Sequence, residues 1–138
     1  MLILDTNVLS ALRRPERSPA VAAWLARQDD TALYLSVVTL GEIERGIVRQ
    51  ESQNPPFARD LRAWLTRTVT LFSDRLLPFG AAEALLWGQL SARLGHAGAD
   101  LLIAATALAH DAAVVTGNTA DFQPTGCRLV DPFAQGAG

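Results

Sequence analysis

Four acids stand out by their surroundings: Asp5, Glu42, Asp100 and Asp121. The chain opens MLILDTNVLS, so four apolar residues lead straight into Asp5 and no cation follows until Arg13. Glu42 lies in SVVTLGEIERG (36–46), a short turn after an apolar run, and Asp121 lies in VVTGNTADF (114–122) after another. Asp100 begins the apolar stretch of AGADLLIAATAL (97–108). Carboxylates gathered in one place raise one another's pKa, and a divalent cation removes that repulsion. Mg²⁺ and Mn²⁺ take oxygen ligands in near-octahedral geometry, usually a few carboxylates plus waters. Such an ion acidifies water and stabilises charge on a phosphodiester under attack. Each acid also has a purely structural reading. Asp5 can form an Asx-turn or cap the next helix, and Thr39-x-x-Glu42 fits a capping box. Asp100 suits a helix dipole, and Asp121 suits a turn. Four separate caps need not lie on one side of a sheet; a metal site requires it.

The neighbours suit supporting roles. Thr6, Asn7, Ser36, Thr116 and Asn118 sit beside the four acids and can orient carboxylates or hold waters. Ordinary turn and cap hydrogen bonds are the alternative for each. All twelve cations are Arg and the chain has no Lys. Arg45 and Arg49, one turn apart beside Glu42, are candidate phosphate contacts, as is the Arg13/Arg14/Arg17 group; solvated surface charge is the alternative. His96 stands between Ala97 and Gly95 in a turn four residues before Asp100, and His110 stands near a helix end. Trp24, Trp64 and Trp87 fall on apolar helix faces, and Cys127 reads as a buried thiol.

These residues need elements to position them. Leu2–Leu4, Leu33–Val38, Leu76–Phe79, Ala113–Thr116 and Arg128–Val130 read as short strands, with Pro78 suited to an edge. Helices are expected over Asn7–Arg13, from Ser18 as cap and Pro19 to about Gln28, over Leu40–Gln50, over Phe57–Phe72, over Ala81–Leu94 closed by Gly95, and over Asp100–His110. SQNPP (52–56) reads as a loop. The helix at Asp100 is apolar nearly all round and so buried, with Ala104 and Ala105 permitting close approach. Strands alternating with helices predict a parallel sheet covered on both faces, with ligands beyond the carboxyl ends of the strands. Three of the four acids follow such ends, and the fourth starts a helix.

At 138 residues, 49% apolar, the chain reads as a single globular domain, residues 1–133, with a frayed tail over 134–138. One cysteine makes no internal disulfide, the N-terminus lacks a basic signal-peptide region, and no apolar run approaches the ~20 residues of a membrane span. The expected setting is cytoplasmic, with no membrane contact. The net charge of −2 does not advertise nucleic-acid binding, but beyond the four acids ten others face twelve arginines, a balance of +2.

Taken together, ILDTNVLS, SVVTLGEIERG, ADLLIAATAL and VVTGNTADF, in that order over almost the whole chain, resemble the PIN domain in the VapC or FitB-like branch of bacterial toxin ribonucleases. The resemblance implies a three-layer α/β/α sandwich with a four- or five-stranded, mainly parallel sheet. It implies a Mg²⁺- or Mn²⁺-dependent endoribonuclease, the toxin of a type II toxin–antitoxin system. Asp5, Glu42, Asp100 and Asp121 match the family's acidic positions, with Asp5 and Asp100 as the expected metal ligands, and Thr116 matches its polar residue after the fourth strand. A homodimer is implied, as is an antitoxin whose segment lies over the active site and whose other domain binds operator DNA. Gly117 departs from the pattern: similar proteins often carry Arg between the Thr and the Asn. A receiver domain needs an active-site lysine, a haloacid-dehalogenase-like phosphatase needs Asp where Asn7 stands, and no P-loop run exists. The remaining alternative is a PIN-like binding module without catalysis that acts through its antitoxin; retention of all four acids argues against it.

Overall fold

Strand β1 (Leu2–Leu4) is the centre of a five-stranded, all-parallel sheet of order β3-β2-β1-β4-β5, seen in a computed structural model that describes residues 1–134. Leu2 and Ile3 pair with Leu33 and Tyr34 of β2 (Leu33–Ser36), while Leu2 to Leu4 pair with Ala113 to Val115 of β4 (Ala113–Val115). The edges are β3 (Leu76–Leu77) and β5 (Arg128–Val130). The expected tail beyond Ala134 lies outside the described residues.

Alternation along the strands makes the three layers. Leu4 and Val115 face one core with α1 (Thr6–Arg13), α2 (Pro19–Ala26), α3 (Val37–Gln53) and α4 (Pro55–Leu71). Ile3 and Val114 face the other, with α5 (Ala81–Leu94), α6 (Ala99–His110) and the short α7 (Thr119–Phe122). All four side chains are fully buried, each contributing about 1.5–3 kcal/mol. Within α6, Leu101, Ile103, Ala104, Ala105 and Ala107 are all buried, as its all-round apolar pattern requires. No helix of the described residues is long and apolar enough to cross a membrane.

Several boundaries differ from the sequence expectations. β2 stops at Ser36 because the Ser36 hydroxyl accepts from the Val38 amide at 3.1 Å and starts α3 there. The Thr39/Glu42 capping box is therefore absent: Thr39 is inside the helix, its hydroxyl buried with no hydrogen-bond partner among the described residues. SQNPP is not a loop. α3 continues to Gln53, and Asn54 alone separates it from α4, its side chain accepting from the Phe57 amide with Pro55 at the first helical position. β3 ends at Leu77, leaving Pro78 outside it. Ser18 precedes α2 without making a side-chain cap bond, and α2 ends at Ala26.

The topology itself marks a place for a ligand. From β1 the chain steps to β2 and β3 on one side, then crosses to β4 and β5 on the other. The reversal opens a crevice beyond the carboxyl ends of β1 and β4, where open parallel sheets bind ligands. Asp5 and Thr116 are the residues that leave those two strands.

Candidate active site

Asp5 is 4% exposed and performs two tasks at once. Its Oδ1 accepts from the Thr6 amide at 2.8 Å, which caps α1, and its Oδ2 accepts from the Thr116 hydroxyl at 2.7 Å. The cap and the site therefore coexist in one carboxylate, and each oxygen retains a second acceptor lone pair. Thr116 is fully buried; its Oγ1 also accepts from the Asn118 amide at 2.9 Å and from Asn7 Nδ2 at 3.5 Å. The Gly117 amide donates to Asn7 Oδ1 at 3.4 Å, so α1 and the turn after β4 are tied twice.

Glu42, half-buried on α3, is recruited by the next residue along. The Thr6 hydroxyl donates to Glu42 Oε1 at 2.8 Å, across 36 positions of sequence. Asp100 is the second residue of α6. Its carboxyl is pushed above the usual range, first by burial and then by the negative charges of Asp5, Asp121 and Glu42, with His96 opposing. Asp100 thus stands in the field of all three other acids. Asp121 is exposed on α7, rather than in an open turn. His96 is exposed in the turn before α6, its Nδ1 accepting from the Gly98 amide at 3.3 Å.

The four carboxylates share one edge of the sheet, but their convergence is one of field more than of contact. Among the described residues, no three acidic, His or Cys side chains come close enough to form a metal-binding cluster. Asp5 and Glu42 are held by hydroxyls and an amide instead of by one another. The donor set is nonetheless all oxygen and strongly anionic, the chemistry that Mg²⁺ and Mn²⁺ select and softer metals do not.

The cations fall differently from the sequence expectation. Arg45 and Arg49 are exposed on α3, and neither lines the groove beside Glu42. That groove, about 340 Å³, runs from Thr6 and Glu42 past Arg13 to Phe57 and Trp64. The Arg13 guanidinium sits 5.2 Å from the centre of the Phe57 ring, and burial, with Arg14 and Arg17 adding to it, lowers its pKa. The run Arg13-Arg14 signals positive charge, but only the docking of α4 on α3 shows which of the two meets the groove. Ser36, named for a supporting role, serves as the cap of α3. Trp24 belongs to the core, as do the packed faces of Trp64 and Trp87. Cys127 is half-buried, its thiol pushed up by burial and contacted by the Thr125 hydroxyl.

Comparison with known proteins decides the family: residues 2–124 match the PIN domain. The chain belongs to the PIN domain family. The VapC ribonuclease Y4jK of Sinorhizobium fredii is 32% identical over 140 residues, covering 96% of this chain and 98% of that protein. Toxin FitB of Neisseria gonorrhoeae is 33% identical over 139 residues, covering 96% and 99%. The crystal structure of FitAcB from Neisseria gonorrhoeae superimposes with a TM-score of 0.85 at 32% identity, covering 96% of this chain and 99% of that one. The PIN-domain sheet and its helical layers are thus those the motifs implied.

Proposed function

We propose that this PIN-domain protein is the toxin ribonuclease of a toxin–antitoxin pair, hydrolysing RNA phosphodiester bonds with Mg²⁺ or Mn²⁺. The observation that carries the reading is Asp100 on α6 standing in the combined field of Asp5, Glu42 and Asp121 at the switch point of the sheet. Asp5 and Asp100 would hold the ion, with Glu42 and Asp121 beside it. When bound, the ion offsets the negative charge that develops on the phosphate and acidifies the attacking water.

The chain's own groups set up the rest. Thr116 and the Thr6 amide hold the two oxygens of Asp5 in place, and the Thr6 hydroxyl does the same for Glu42. As water attacks phosphorus a carboxylate must take the water's proton, while the leaving oxygen departs with the electron pair of its broken bond and gains a proton from solvent. Asp121, exposed on α7, is the one placed to take the proton from the water. Arg13 on the groove wall supplies a cation for the flanking phosphate. The same groove, polar at Thr6, Ser10 and Arg13 and apolar at Phe57, Leu61 and Trp64, suits an antitoxin segment that covers the site. The homodimer, and operator DNA bound through the antitoxin alone, complete the proposal.

The test is cleavage of single-stranded or loop RNA by protein freed of any partner. Activity is expected with Mg²⁺ or Mn²⁺ and none with chelator; Asp5→Asn and Asp100→Asn each abolish it while circular dichroism is unchanged. Cleavage that survives chelation, or full activity in both variants, overturns the mechanism. A wild type inert on every RNA tried favours the binding module.

A further inference from the structure

Phe133 is a large apolar side chain left 42% exposed, and its ring lies against Gly117, the residue that follows the Thr116 holding Asp5. One side of its ring rests on Gly117: a Cβ at that position would meet Cδ2 and Cε2 at 2.9 Å each. No larger residue fits at 117 with the ring where it is, so the glycine is what allows the aromatic to settle there. The turn that delivers it is built. Asp131 Oδ1 accepts from the Phe133 amide at 2.9 Å and from the Ala134 amide at 3.3 Å, directly after β5. On the other side of Gly117, Thr116 donates to Asp5 and Asn7 accepts from the Gly117 amide. The ring thus rests on the backbone of the turn whose neighbouring hydroxyl holds Asp5.

An exposed aromatic face beside a polar site suits a ligand with a flat π-face and polar edges. Single-stranded RNA offers that in each unpaired base, and aromatic side chains beside backbone contacts are how proteins seat such bases. We infer that Phe133 is a stacking platform for one unpaired nucleobase next to the cleaved phosphodiester, with Gly117 as its seat. This rests on the ribonuclease reading of the same site. The platform contributes binding and register, not chemistry, and the stacked base would face the ring from the solvent side.

The experiment uses the full chain with Mg²⁺ or Mn²⁺ and a short single-stranded oligoribonucleotide that wild type cleaves, in versions carrying one abasic nucleotide at successive positions. Wild type is expected to lose about tenfold in kcat/KM at one abasic position, the size of one base–aromatic stack. Phe133→Ala should lose about tenfold on the intact RNA, mainly through KM, and nothing more at that abasic position. Phe133→Trp should keep the wild-type profile. Gly117→Ala, which displaces the ring without removing it, should resemble Phe133→Ala, and the double variant should be no worse than either. An unchanged KM and abasic profile in Phe133→Ala overturns the platform while leaving the nuclease intact. Weaker capture of a co-expressed partner protein with unchanged RNA kinetics would place a protein segment there and overturn it too. A wild type that cleaves no RNA removes the ribonuclease reading and the platform with it.

Discussion

Thr116 is the residue on which the geometry of the site turns. Its hydroxyl donates to a buried carboxylate 111 positions away and accepts from the turn that follows it. Thr116→Val keeps the shape and removes that donor, so Asp5 Oδ2 loses its only side-chain partner among the described residues. An unsatisfied buried acceptor costs about 1–3 kcal/mol. Loss of a group that orients a metal ligand typically costs about 10–100-fold in affinity or activity. The expected outcome is a lower Tm, a matching loss in kcat/KM, and a metal titration midpoint shifted to higher concentration; Thr116→Ser should restore most of each. Equal metal affinity in wild type and Thr116→Val would contradict the positioning role. The residue types were readable in advance because strand-end position and an oxygen-rich donor set are properties of the sequence. The partners were not. That Thr6 reaches Glu42, and that Arg13 rather than Arg45 meets the groove, follow from how α1, α3 and α4 dock.

Helix boundaries show why elements were easier to count than to delimit. Every expected strand exists: the buried apolar runs of β1, β2 and β4 leave little alternative, and β3 and β5 pair onto them at the edges. The start of α3 depends on one hydroxyl, and the sequence offers two for it. Ser36 won, since it lies at the end of the strand in extended geometry, and Thr39 was carried into the helix with its hydroxyl unpaired among the described residues. Thr39→Val, which removes the orphan at constant shape, should raise stability by about 1 kcal/mol in urea titration; a loss would mean that the hydroxyl has a partner. SQNPP misled in the same way, because Asn54 ends one helix and caps the next.

At the far end of the molecule, α5 and α6 are joined by Glu83 Oε1 and His110 Nε2 at 3.2 Å, while Glu83 Oε2 accepts from the Gly80 amide at 3.1 Å. Gly80 has no side chain, so only the glutamate half of a capping box exists here. The Glu83 carboxyl is held below the ordinary glutamate value, first by its own backbone amide and then by Gly80 and His110, against the opposing effect of burial. A depressed carboxylate pKa stabilises the fold fully above the unfolded value and loses that stabilisation as pH falls through the folded one. Glu83→Gln should therefore trail wild type by about 1 kcal/mol at pH 7. The gap should begin to close near the unfolded glutamate pKa of about 4.3 and vanish below it. Urea midpoints across that range check the sign, and a gap that widened in acid would reverse it.

The whole molecule places four acids at the reversal of its strand order, and that arrangement has a thermodynamic consequence. Asp100, pushed up by burial and by three like charges, opposes folding at neutral pH when no cation is bound. Neutralising it removes a repulsion, so Asp100→Asn should raise the Tm of chelator-treated protein. A ligand that binds only the folded state stabilises it by RT ln(1 + [L]/Kd), about 2.7 kcal/mol at a hundredfold excess over Kd. For a chain of this length that is several degrees of Tm. Wild type should accordingly gain several degrees as Mg²⁺ or Mn²⁺ is added, whereas Asp100→Asn should start higher and gain little. The two curves should then converge or cross as metal increases. Parallel curves would mean that Asp100 does not bind the ion, and a lower metal-free Tm in Asp100→Asn would mean that its carboxylate serves the fold at the start of α6 instead of the cation. The pair of slopes separates these roles without any assay of RNA cleavage. The sheet edge gathers four acids whose mutual repulsion falls on Asp100, and on the ribonuclease reading a bound divalent ion would offset it.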